Sequence, residues 1–120
     1  MGLFDKFKKK QYDMPDFREI DSNEKAISLA NKGILKPLYL MPLRFNGEES
    51  AGNRLFVPPV VVELKDRYDD MVEELLVQGK VSSYSCTPEY KGESFIPFRL
   101  KIVAGKDGED IFTEVINIWS

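Results

Sequence analysis

Glu63-Leu64-Lys65-Asp66-Arg67-Tyr68-Asp69-Asp70-Met71-Val72-Glu73-Glu74-Leu75-Leu76-Val77-Gln78 is the stretch on which the fold turns. Leu64, Tyr68, Met71, Val72, Leu75 and Leu76 recur at intervals of three and four, the period of one apolar helix face. Asp66, Asp69, Asp70 and Glu73 are expected on the opposite side, and Gly79 follows as a left-handed stop. The spacing predicts one long amphipathic helix.

Beyond Gly79 the period changes to two. Residues 81–90 place Tyr84, Cys86 and Tyr90 on one face of a strand, and Lys91-Gly92-Glu93 turns the chain. Residues 96–104 alternate, with Ile96, Phe98, Leu100, Ile102 and Ala104 inward and Pro97, Arg99 and Lys101 outward. A polar turn over 105–110 leads to a last strand over 111–119. Links this short favour an antiparallel meander.

Before Glu63, Asp21 and Ser22 are good N-caps for a helix running to about Lys32, with Gly33 as its stop and Pro37 just beyond. Residues 38–45 have strand composition, although Pro42 argues for an edge or a bulge. Residues 55–62 form a second strand-like run broken by Pro58-Pro59, so Val60 to Val62 read either as strand or as helix entry. The order is α-β-β-α-β-β-β. It predicts an α+β fold, a mainly antiparallel sheet with two helices packed on one face. Residues 1–15 read as a flexible basic tail and 16–120 as one domain.

Composition narrows the functions. The chain has 120 residues, 42% of them hydrophobic and 31% charged, a globular balance for one core. No run approaches the ~18 apolar residues of a membrane span, and no secretory signal is visible, so a cytoplasmic setting is expected. There is no histidine and one cysteine. That excludes an internal disulfide, Ser-His and Cys-His nucleophile pairs, and the commonest zinc ligand. No cofactor or metal is expected. The net charge of −3 conceals a basic start, Lys6, Lys8, Lys9 and Lys10, on an acidic body that disfavours nucleic acid.

Four features invite a functional reading. The carboxylates Asp66, Asp69, Asp70 and Glu73 lie at four-residue spacings suited to a basic partner, although a soluble helix places charge there in any case. They are too rigidly spaced to wrap calcium. Cys86, on an apolar strand face, is expected to be an inert buried thiol. The segment 87–97 joins two strands and carries Tyr90 and Ser94. With Arg99, Arg44 and Arg54 it makes a candidate ligand-binding loop, although its prolines and glycine also serve to shape a hairpin. In the tail, Leu3, Phe4 and Phe7 lie on one side of a notional helix amid lysines and would contact a membrane weakly at best.

The function expected is therefore a non-catalytic protein-interaction module, working through a sheet edge or the acidic helix face. One alternative is a small-ligand-binding or histidine-free enzymatic domain using the Tyr90 loop and the nearby arginines. A second is a peripheral membrane-surface protein held by residues 1–10. The last strand, with Trp119 near its end, is expected either to be central in the sheet or to pair with a second copy as a homodimer.

Overall fold

The computed structural model describes residues 15–120. The expected tail, with Leu3, Phe4 and Phe7, lies outside the described residues apart from Pro15. Helix α1 spans Asn23–Asn31, and Ser22 caps it by accepting from the Lys25 amide at 3.2 Å. Strands β1 (Lys36–Tyr39) and β2 (Arg54–Val57) form an antiparallel ribbon with Leu38 opposite Leu55. Helix α2 spans Pro59–Val77. Pro59 occupies its first turn, where a missing amide proton costs nothing. Val60 to Val62 are thus helix entry. Strands β3 (Ser83–Glu89), β4 (Arg99–Lys106) and β5 (Glu109–Asn117) form the expected antiparallel meander in the order β3-β4-β5.

The α+β class and the order of elements stand. The single sheet does not, because the strands divide into a two-stranded ribbon and a three-stranded sheet. The run expected over 38–45 stops as a strand at Tyr39, and a 3-10 turn follows at Leu43–Phe45. Asn53 explains the break. Its side chain accepts from the Met41 amide at 2.8 Å and donates to the Met41 carbonyl at 2.9 Å, standing in for a strand partner. Gly47 sits so close to this turn that a Cβ would lie 1.9 Å from the Met41 carbonyl oxygen.

Strand β5 is at the sheet edge rather than its centre. Its pairing with β4 shifts register between Ala104 and Gly105, and Glu114 lies opposite the buried Ile102, on the face that carries Ile116. A bulge and an inward-directed carboxylate are devices that blunt a free edge.

Leu38, Val57, Val61, Leu100, Ile102 and Ile116 form the main core between α2 and the sheets. A second cluster joins Ile20, Ala26, Leu35 and Ile96, with Phe17, Phe56 and Trp119 packed against it. The face of α2 differs from the expected one. Val61, Lys65, Asp69 and Val72 are buried, whereas Met71 and Leu76 are exposed. Pro97, expected outward, is also fully buried beside Ile96. No helix among the described residues is long and apolar enough to cross a membrane.

Candidate functional site

The acidic helix face is the obvious first candidate, and its side chains are already engaged. Arg44, on the turn after β1, donates to Asp70 at 2.5 Å and to Glu73 at 3.2 Å, and it lies 3.7 Å from an Asp66 carboxylate oxygen. The bond to Asp70 raises the pKa of the guanidinium, against the opposing effect of burial. Arg44, expected in a ligand pocket, clamps the 42–45 turn to the carboxylates expected to receive a partner, and with Asp66 and Asp70 it lines a cleft of about 410 Å³.

Asp69 does not belong to that face. It is buried with Lys65 one turn away, and the two side chains meet at 2.7 Å with only 4% of each exposed. The Tyr84 hydroxyl donates to the other Asp69 oxygen at 2.6 Å. Burial, and then this bond, push the Tyr84 pKa upward. A lysine and an aspartate four apart neutralise one another, which allows both onto the core side of the helix. Cys86 projects from the same side of β3 as Tyr84, and burial pushes its thiol up to about 11. A thiol so poised is a poor nucleophile at neutral pH.

The segment between β3 and β4 presents a different surface. Ser94 is buried, where it donates to the Phe17 carbonyl at 2.6 Å and accepts from the Ile96 amide at 3.1 Å. The Phe95 amide donates to the Ile20 carbonyl at 2.7 Å. Trp119 donates to the Ile96 carbonyl at 3.0 Å, and its ring lies 6.1 Å from that of Phe17. Ser94 and Trp119 are thus fasteners that hold the segment against the start of the domain. Ser94 is enclosed by these bonds, whereas Trp119 also lines a second cleft of about 420 Å³ with Arg18, Lys91 and Gly92.

This anchored segment projects Tyr90 and Phe95, 45% and 48% exposed. They border a cleft of about 510 Å³, lined also by Phe56, Leu55, Ala26 and Arg54. The Arg54 guanidinium lies over the Phe56 ring at 5.5 Å from its centroid. Of the residues expected to bind a ligand, Tyr90 and Arg54 converge here. Arg99 does not, because its Nε and Nη2 donate to the two carboxylate oxygens of Glu89, at 2.5 and 2.7 Å. That pairing raises the pKa of Arg99 and holds the Glu89 carboxyl below its usual range. Phe95 and Phe56 complete the cleft. Phe95 lies within the distinctive 87–97 segment, but nothing in its spacing separates a cleft wall from a core residue.

No family model matches this chain, and no curated protein or solved structure matches it significantly.

Proposed function

We propose that this chain is a non-catalytic protein-interaction module that grips an apolar side chain of a partner segment in the Tyr90–Phe95–Phe56 cleft. The observation that carries the reading is the pair of half-exposed aromatic rings on a segment fixed by Ser94 and Trp119. Exposed tyrosines, other aromatics and arginine beside a recess are the composition of interface anchors. A segment already fastened loses little freedom when a partner arrives, which favours binding.

A histidine-free enzyme or small-ligand site would use the same recess. Its lining offers one phenol and one guanidinium as titratable groups, and burial pushes Tyr90 up, further from neutral pH. That supplies no acid–base pair suited to proton transfer, so binding is the better-supported reading. The sheet edge has less support than the cleft, given the bulge and Glu114 on β5. The acidic helix face is occupied by Arg44. The membrane reading concerns residues 1–10, outside those described.

The test is selection of binders from a displayed library of random peptides, with Tyr90→Ala and Phe95→Ala as parallel targets. Enriched peptides should share an apolar anchor and lose about tenfold or more in affinity towards either folded variant. Failure to enrich any peptide, or binding to both variants as tight as to the wild-type chain, would count against the proposal.

A further inference from the structure

We infer that the segment received by the cleft carries a carboxylate beside its apolar anchor, and that Arg54 holds it; this rests on the binding reading above. The arginines differ in what they touch. Arg44 is held by Asp70 and Glu73, Arg99 by Glu89, and Arg18 by Asp16. Arg54 has no carboxylate partner among the described residues, and its guanidinium sits over the Phe56 ring at the cleft. Arg67, also without an ion pair among them, lies on α2 and does not line the cleft. Among the described residues, Arg54 is the only charged side chain in the lining.

None of the Arg54 guanidinium N–H groups donates to another described residue, so the edge that matches a carboxylate in a two-bond arrangement is available beside the Phe56 ring. The cleft thus offers one positive charge next to an apolar recess. Its complement is one negative charge next to an apolar side chain, as in a peptide with Glu or Asp beside Phe or Leu. A phosphate or polyanion fits less well, because a single arginine faces it and the protein's net charge of −3 repels it at longer range.

Two acetylated, amidated peptides test this against the full chain, Gly-Glu-Phe-Glu-Gly and Gly-Gln-Phe-Gln-Gly, with amide nitrogen–proton shifts followed during titration. The Glu peptide should bind about threefold tighter or more, the scale of one partly exposed ion pair. The advantage of the Glu peptide over the Gln peptide should vanish in Arg54→Gln and shrink in high salt. Equal affinity of the two peptides for the wild-type chain would overturn the inference and leave the cleft reading standing. Binding of neither would overturn both.

Discussion

Along α2, Arg44 draws Asp70 and Glu73 to the 42–45 turn, while Lys65, Asp69 and Tyr84 complete one another beneath the helix. Around Tyr90 the arrangement is reversed. Ser94 and Trp119 use their polar atoms to fasten the chain, and this leaves two aromatic rings and Arg54 turned outward. The first region has more charge, and the second has more left to offer. Charge density along a sequence therefore marks α2 as a site, whereas the distribution of internal partners marks the cleft. A side chain whose bonding capacity is filled from within stabilises the fold. One left half-exposed on a rigid support is suited to an outside partner.

That contrast breaks first if the buried pair is not structural. Asp69→Ala strands the Lys65 ammonium and the Tyr84 hydroxyl, and chemical denaturation should register a loss of about 3–5 kcal/mol. Asp70→Ala, at the exposed end of the Arg44 clamp, should cost less than about 1 kcal/mol. Equal losses would show that the two sides of α2 do not differ as described.

Alkaline pH probes the same interior. The Cys86 thiol is raised from 9.0 to about 11 by burial, so above pH 9 the unfolded chain releases a proton that the folded chain retains. Stability should therefore fall as pH rises from 9 to 11, by about 2–3 kcal/mol from this group. The difference between wild type and Cys86→Ala across that window isolates the effect. A difference that does not change with pH would place Cys86 in a wetter setting.

Ser94→Ala should cost about 1–3 kcal/mol, because the buried Ile96 amide loses its partner and the part-buried Phe17 carbonyl keeps only the Ile20 amide. It should also loosen the Tyr90–Phe95 segment, seen as faster amide exchange there. An unchanged exchange rate would mean that Ser94 does not fasten the cleft wall.

Much of this molecule is legible in its sequence. The period of three and four marked α2, and alternation placed Leu100, Ile102 and Ala104 on the inner face of β4. Ser22, Gly33 and Gly79 marked helix ends by the local chemistry of caps and positive φ. What periodicity could not reveal was pairing at a distance. Asp69 reads as a surface residue until Lys65 and, from β3, Tyr84 are seen around it. The strand expected over 38–45 ends early because Asn53, twelve residues from Met41, takes its pairing bonds. Trp119 reads either as part of a central strand or as an edge residue open to a second copy, and its bond to the Ile96 carbonyl is visible only in the fold. At the site, Tyr90 and Arg54 were recoverable as an aromatic and a cation near strand ends. Phe56 and Phe95 were not, since a phenylalanine on a strand or in a hairpin reads equally well as core.

The central claim is that partners meet the Tyr90 cleft and leave α2 alone. A titration of the isotope-labelled full chain with a library-selected peptide tests it most directly, read from amide shifts along the whole backbone. The account predicts that shifts concentrate at residues 54–56 and 90–95 and that residues 66–73 stay silent. Shifts concentrated at 66–73, with 90–95 unmoved, would contradict it.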